Sequence, residues 1–424
     1  MRTHTTLIIF ILLSTSCLRS KTPFEIFLSS NPQILIENIE TDTSYFDKSK
    51  LVWFTQAIDH NNPDKGTFKQ RVWLSHSDQQ APVVMVTEGY AANKNYTSEL
   101  AQLIRCNQII VEHRYFGLSQ PDTIDYQYLS IEQAANDHHK IIQHFNKFYT
   151  AKWMTTGISK GGQAAIFHSA FFPDDVDITI PYVAPINLKR EDERLINFFK
   201  TVGTDEERHK IKSFQKRTLS KREALLPLFE ELAIQKNYTF RMGLEKAYDL
   251  LVLEYPFAFW QMGHHISAVP SSCASNEVLL NHLCKVSDMS YLADQEWETV
   301  KPFFYQAYKE LGYYAYDTED IKDILSDFKE DTISSTTLIP EGDSLTFNPQ
   351  AMQSIMQNLI KHNPKIIAII GENDPWSATS IDNTKLSNTI RVIIPKGSHK
   401  SRLRNLPDST YHYVINTLNE CLKK

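Results

Sequence analysis

The sequence predicts an α/β fold: a mostly parallel sheet covered by helices on both faces and interrupted by a helical insertion. Three observations carry this expectation. Short unbroken apolar runs such as Val83–Thr87 and Ile366–Ile370 alternate with stretches of helical periodicity, and a strand buried on both faces reads as such a run. That rhythm stops near Leu188 and resumes after Ser354. A Gly-x-Ser-x-Gly string stands where one apolar run gives way to a helix.

In chain order, residues 1–17 read as a signal peptide. Arg2 and His4 lead into the apolar run Leu7–Leu13, then the small residues Ser14–Ser16 and Cys17, a run too short to span a bilayer well. Cys17 resembles the acylated cysteine of a bacterial lipoprotein signal, which would make the protein a periplasmic or outer-membrane lipoprotein; plain secretion is the alternative. Residues 40–187 hold the first part of the sheet domain. Strands are expected around Leu51–Thr55 and Phe68–Ser75, with a turn at Asp59–Asp64 between them. Val83–Thr87, Ile109–Val111, Trp153–Thr156 and Ile178–Val183 are expected as buried strands, and Ser98–Ile104, Ile131–Tyr149 and Gln163–Phe171 as the helices between them. Residues 188–354 are charged, helix-rich and dense in aromatics, as at Glu254–Trp260, and form the inserted cap. Residues 355–424 complete the sheet domain with strands Lys365–Ile370 and Arg391–Ile394 and a last helix over Ser409–Leu422.

Composition excludes some function classes. The chain has 424 residues, 42% hydrophobic and 22% charged, with a net charge of −6 spread along it. No basic stripe is present, so no nucleic-acid partner is expected. Membrane association is expected only through a lipid anchor at Cys17. Cys273 and Cys284, close together in a loop-like region, are the first candidates for a disulfide in an exported chain, with Cys106 and Cys421 as a second pair. No C-x-x-C spacing occurs, and Asp137-His138-His139 and His264-His265 lack the partners of a zinc site. No metal or cofactor is therefore expected.

Gly157-Ile158-Ser159-Lys160-Gly161 fits the nucleophile elbow of the α/β-hydrolase fold. A sharp strand-to-helix turn exposes the serine hydroxyl, and small neighbours keep the turn free of clashes. The helix that follows aims its free N–H groups, that of Lys160 first, at a developing oxyanion. A second donor is expected from the loop at Gly89 and Tyr90. In this fold the acid and then the histidine follow the serine on loops after late strands. Asp374, after the run Ile366–Gly371, is positioned to orient an imidazole, with Glu372 as its rival. His399, after Val392–Ile394, is positioned to take and return the Ser159 proton.

Together with the string Glu112-His113-Arg114-Tyr115-Phe116-Gly117-Leu118-Ser119 and with Gly371-Glu372-Asn373-Asp374-Pro375-Trp376, the elbow resembles the secreted bacterial prolyl tri/tetrapeptidyl aminopeptidases. More distantly it is similar to lysosomal Pro-X carboxypeptidase and its dipeptidyl-peptidase relatives. The resemblance runs from about Leu51 to the C-terminus and is strongest over Pro82–Pro185; lysine after the nucleophile is typical of the aminopeptidase branch. It implies that Ser159, Asp374 and His399 form a catalytic triad. It further implies exopeptidase action on proline-containing peptides, with the insertion as a cap restricting entry to peptide ends. Recognition of a free N-terminus requires carboxylates. Glu191, Asp192 and Glu193 open the cap where they could reach the site, although the dipole of a helix start selects acidic residues in any case. Trp260, with Phe257 and Phe259, is a candidate for a proline pocket or for cap core. Two other readings remain open on these residues: an esterase or lipase on the same scaffold, and a non-catalytic surface-binding relative.

Overall fold

The computed structural model describes residues 21–32, 34–338 and 345–423; the expected signal segment 1–17, with Cys17, lies outside the described residues. The chain enters through α1 (Pro23–Ser29), closed by a capping box in which Thr22 and Glu25 exchange hydrogen bonds. Strands β1 (Ile34–Asn38), β2 (Lys48–Ala57) and β3 (Thr67–His76) form an antiparallel meander, β2 and β3 pairing along ten residues. There follow β4 (Val83–Thr87), α2 (Glu99–Ile104), β5 (Asn107–Val111), α3 (Ile131–Phe145), β6 (Trp153–Ile158), α4 (Lys160–Phe171) and β7 (Ile178–Tyr182).

The insertion contains α5 (Glu193–Phe199), α6 (Asp205–Ser220), α7 (Arg222–Gln235), α8 (Leu244–Gln261), α9 (Asn276–Ser287) and α10 (Asp294–Gln306). A short antiparallel pair, β8 (Ala315–Asp317) and β9 (Thr332–Ser334), follows. Then α11 (Pro349–His362), β10 (Ile366–Gly371), β11 (Thr389–Ile394) and α12 (Asp408–Leu422) complete the chain.

Nine strands make one sheet in the order β1-β2-β3-β5-β4-β6-β7-β10-β11. The pairings from β5 onward are parallel, the arrangement of an α/β-hydrolase core. Every residue of β4, β5, β7 and β10 is buried, which explains their unbroken apolar spelling. Side chains alternate between faces: Ile367 and Ile369 pack with Val414 and Leu418 of α12, while Ile366, Ala368 and Ile370 pack with Ile166 of α4. Thus α2 and α12 cover one face, and α1, α3, α4 and α11 the other.

The sequence places the end of the insertion at residue 354, inside α11. That helix went unread. Its apolar line Met352, Ile355 and Leu359 packs against α4 and belongs to the sheet's core rather than to the cap.

The cap has its own core, with Phe214, Phe229, Tyr248, Tyr255 and Phe304 buried in it. Helix α8 runs through Pro256, which cannot supply the N–H that Val252 would receive. Gln215 supplies it instead, its Nε2 donating to the Val252 carbonyl at 2.9 Å. Among the described residues no helix is long and apolar enough to cross a membrane.

Two expected disulfides are corrected: Cys106, Cys273, Cys284 and Cys421 are all free. Cys284 turns into the cap core, where burial pushes its thiol up to about 12, and Cys273 faces solvent on the loop before α9. Cys106, buried in the core, and Cys421, half-buried on α12, belong to the same cluster without bonding.

Candidate active site

The turn between β6 and α4 positions Ser159, the candidate nucleophile. Ser159 has φ 56° and ψ −123°, a conformation costing roughly 1–3 kcal/mol for a residue with a side chain. Its surroundings enforce it. The Ser159 N–H donates to the Tyr182 carbonyl of β7 at 2.9 Å. Thr87 at the end of β4 donates its hydroxyl to the carbonyls of Gly161 (2.8 Å) and Thr156 (3.1 Å). Glycine is required on both sides: a Cβ on Gly157 would lie 2.3 Å from the Gly161 carbonyl oxygen, and one on Gly161 would lie 2.4 Å from that of Thr87. The first-turn N–H groups of α4 have no intrahelical acceptors and face the same end as the serine.

The loop carrying Gly89 and Tyr90 lies against that helix start, as close as the absence of a side chain on Gly89 allows. The Lys160 side chain fastens it. Only 3% exposed, Lys160 donates its Nζ to the Gly89 carbonyl at 2.7 Å and sits 4.7 Å from the Phe116 ring centroid. Burial holds its pKa well below the ordinary lysine value, and either protonation state can donate to a carbonyl. The sequence pointed to Lys160 for its backbone N–H; the work of its side chain was not read. The string around Glu112 supports the same loop. Glu112, fully buried, pairs with Arg71 and accepts from Ala92 N–H (2.7 Å), Leu118 N–H (2.9 Å) and the Ser119 hydroxyl (2.8 Å). Arg114 forms a two-point pair with Asp137, both contacts at 2.7 Å, and Asp137 also binds His60.

Asp374 stands beyond β10 and His399 beyond β11. Asp374 Oδ1 accepts from Trp376 N–H, and its Oδ2 bonds His399 Nδ1 at 2.7 Å. Burial raises the Asp374 pKa, with His399 pulling against it. A carboxylate at Nδ1 selects the tautomer with its proton there, leaving Nε2 as the base. The rival Glu372 instead accepts the Lys396 N–H at 2.7 Å and borders a different cavity. The His399 N–H donates to the Gln261 carbonyl at the end of α8 (2.9 Å), which ties the histidine loop to the cap. Among the described residues the Ser159 hydroxyl makes no direct hydrogen bond to His399; such contacts commonly tighten only when substrate is bound.

Ser159 opens into a cavity of about 540 Å³ roofed by the cap. Tyr90 and Lys160 line it from the sheet domain. Glu254, Phe257, Ala258 and Gln261 line it along one stripe of α8, and Tyr313, Tyr314 and Trp376 close its apolar side. Phe257 stacks on Tyr314 (3.9 Å between centroids) and meets Trp376 edge-on at 5.1 Å.

The expected N-terminus-binding residues are not among those lining this cavity. Glu191 is engaged by Arg190 and Ser334. Asp192 caps α5 and pairs with Arg194 at 2.7 Å. Glu193 is exposed beside Lys189. The helix start selected these acids, as the dipole argument allows. Of the two readings of Trp260, its placement fits cap core: it is buried in the cap's own cluster, packs on Gly203 and Phe259, and borders two cavities other than that of Ser159. Its neighbour Phe257 lies between, lining Ser159's cavity and one of those that Trp260 borders. Glu254 was missed, although Glu254, Phe257, Ala258 and Gln261 stand at i, i+3, i+4 and i+7 on one helix face.

The family model described as PS-10 peptidase S37 matches residues 26–403. Prolyl tri/tetrapeptidyl aminopeptidase of Streptomyces mobaraensis is 32% identical over 367 residues, which cover 84% of this chain and 76% of that protein. Serine protease vicPb of Bipolaris victoriae is 33% identical over 100 residues, 20% of this chain and 19% of its own. Lysosomal Pro-X carboxypeptidase of Mus musculus is 26% identical over 160 residues, 33% of each chain.

Proposed function

The chain belongs to the PS-10 peptidase S37 family and is a serine peptidase; from that premise we propose that it is an exported exopeptidase releasing short N-terminal peptides from proline-containing substrates. Ser159 attacks the scissile carbonyl while His399 Nε2 takes the hydroxyl proton. Asp374 stabilises the imidazolium. The oxyanion is met by the N–H of Lys160 and by N–H groups of the Gly89–Tyr90 loop. His399 then protonates the departing amine, leaving an acyl-enzyme on Ser159. Water, deprotonated by the same imidazole, releases the short peptide.

The observation that carries this reading is the shared enclosure: a strained serine opens into a capped cavity whose walls include Trp376, two residues after the histidine's carboxylate. Proline has no N–H to donate and is selected through packing, for which the Phe257 and Trp376 rings offer apolar surfaces on the cavity. A roofed cavity admits a chain end more readily than the middle of a folded chain. The signal-like residues 1–17 support export, with acylation at Cys17 as the anchoring variant; loss of acyl labelling in Cys17→Ala would test it.

Mass spectrometry of fragments from defined peptides, Ala-Ala-Pro-Xaa with free and blocked N-termini, tests the whole reading. Cleavage after proline of the free-ended peptide is expected, along with labelling by a fluorophosphonate. A protein that turns over p-nitrophenyl esters far faster than peptide anilides would be an esterase instead.

A further inference from the structure

Glu254 stands out among the charged residues bordering the cavity. It is part-buried on α8, and its Oε2 accepts hydrogen bonds from the hydroxyls of Tyr314 (2.8 Å) and Tyr316 (3.0 Å). Tyr313 and Tyr291, whose hydroxyls share a 2.9 Å bond, extend the array, and Tyr308 packs behind it. Among the described residues no lysine, arginine or histidine pairs with Glu254. Its pKa is pushed up to about 7, because burial outweighs the two tyrosine bonds. Of the other charged groups on the cavity, Lys160 is buried and spent on the Gly89 carbonyl, Lys285, Asp288 and Lys400 are exposed, and His264 is part-exposed. Holding a carboxylate in such a place without a cation costs energy, and that cost is relieved when a cation arrives.

The geometry points to Glu254 as the anchor for the α-ammonium group of the substrate, so that the cavity spans the stretch from that ammonium to Ser159. This rests on the exopeptidase reading above. The hydroxyl array is polarised in the right direction: Tyr314 and Tyr316 spend their protons on Glu254, which leaves lone pairs on their oxygens to accept from an ammonium. Three N–H donors then find the free Glu254 oxygen and the oxygens of Tyr313 and Tyr314, the two tyrosines of the array that line the cavity beside it. Blocking the N-terminus removes the charge and adds bulk where the array closes. A lysine side chain carries the same primary ammonium and is the other source of this chemistry.

The experiment compares three chromogenic peptides on the wild type and on Glu254→Gln: Ala-Ala-Pro-anilide with a free end, its N-acetyl form, and an N-acetyl form carrying lysine in place of the first alanine. Acetylation is expected to raise the wild-type KM about 10- to 100-fold, the worth of a charge-assisted hydrogen bond. E254Q is expected to raise the KM for the free peptide by a similar factor and to erase the distinction, with the loss falling on KM rather than kcat. E254Q that still prefers the free end overturns the assignment and leaves the exopeptidase reading standing. A wild type indifferent to acetylation overturns both. A lysine peptide that escapes the acetylation penalty in the wild type but not in E254Q moves the site to side-chain amines and overturns the N-terminal assignment.

Should E254Q fail to fold, inhibition of the wild type by free and acetylated Ala-Ala-Pro decides the matter. Affinity for the free form alone is expected to rise as pH passes about 7, and to fall again as the peptide amine loses its proton near about 8. Parallel profiles for the two inhibitors would overturn the assignment.

Discussion

The carboxylates nearest the reaction centre in the sheet domain and the one that faces the cavity from the cap are held in different ways. Around the sheet, three buried carboxylates at the site end have cationic or imidazole partners: Asp137 with Arg114, Glu112 with Arg71 and Asp374 with His399. Part-buried Glu88 has the Tyr96 hydroxyl, and the buried Lys160 only the Gly89 carbonyl. In the cap, Asp249 is likewise held by Arg222, yet Glu254, facing the cavity, is held by tyrosine hydroxyls alone. Paired ions fix geometry, which acyl transfer demands to within fractions of an ångström. An unpaired carboxylate is a charge awaiting its complement. On the proposed function, the difference divides chemistry from selection: the sheet would supply a rigid reaction centre, and the cap would read the substrate.

The contrast can be broken most decisively at the sheet. Ser159→Ala is expected to lower kcat by about 10⁶, and Asp374→Asn by about 10⁴ through the wrong imidazole tautomer, both measured on peptide anilides. Fluorophosphonate labelling should vanish in the first. Substantial residual turnover in Ser159→Ala would place the chemistry elsewhere. Arg114→Met tests rigidity instead: Asp137 would keep only His60, and breaking a fully buried pair costs about 3–5 kcal/mol of stability in urea unfolding. A loss below about 1 kcal/mol, the worth of an exposed pair, would show that the pairing is not what holds this loop.

How much of this was legible follows from the same contrast. The parallel strands were readable because burial on both faces writes an unbroken apolar run, as at Ile366–Ile370. The placement of Ser159, Asp374 and His399 after successive strands, with Asp374 bonded to His399, was readable because the chain order of serine, acid and histidine is spelled locally. The cap was not. Glu254 meets Tyr314 and Tyr316 from some sixty residues away, and no local pattern announces that convergence. Glu191, Asp192 and Glu193 were ambiguous because a helix N-terminus and a ligand site select the same residues, and they sit at the start of α5 rather than on the cavity. The α11 boundary was missed because its apolar line, though periodic, borders a charged insertion. The Lys160 side chain was invisible because its partner is a backbone carbonyl.

That last contact gives a prediction of intermediate size. Lys160→Met keeps most of the buried aliphatic stem and removes the donor to Gly89, freeing the loop that would present the second oxyanion donor. Loss of one such donor costs about 10²–10³ in kcat, and loosening one should cost less, about 10- to 100-fold, with KM little changed. If Lys160 is only packing, thermal stability will fall while kcat holds, and the sheet would then be less preorganised than its paired charges suggest.

The smallest effect is also the sharpest test of the cap's side of the contrast, because it predicts a gain. Glu254 titrates at about 7 in the folded protein against an ordinary value of 4.5. Between those pH values the folded chain keeps a proton that the unfolded chain has released, so stability falls as pH rises through that window. Replacing Glu254 by glutamine retains an acceptor for the tyrosines and removes the charge. E254Q should therefore match the wild type near pH 4.5 and exceed it at pH 8, by about 1–2 kcal/mol once partial solvent screening is allowed for. Unfolding curves at the two pH values measure this directly. A variant that is more stable yet binds free N-termini less well would mean that the cap holds an unfavourable charge for the sake of its ligand. A variant less stable at pH 8 would mean that Glu254 is already satisfied by the fold, and the asymmetry between sheet and cap would disappear.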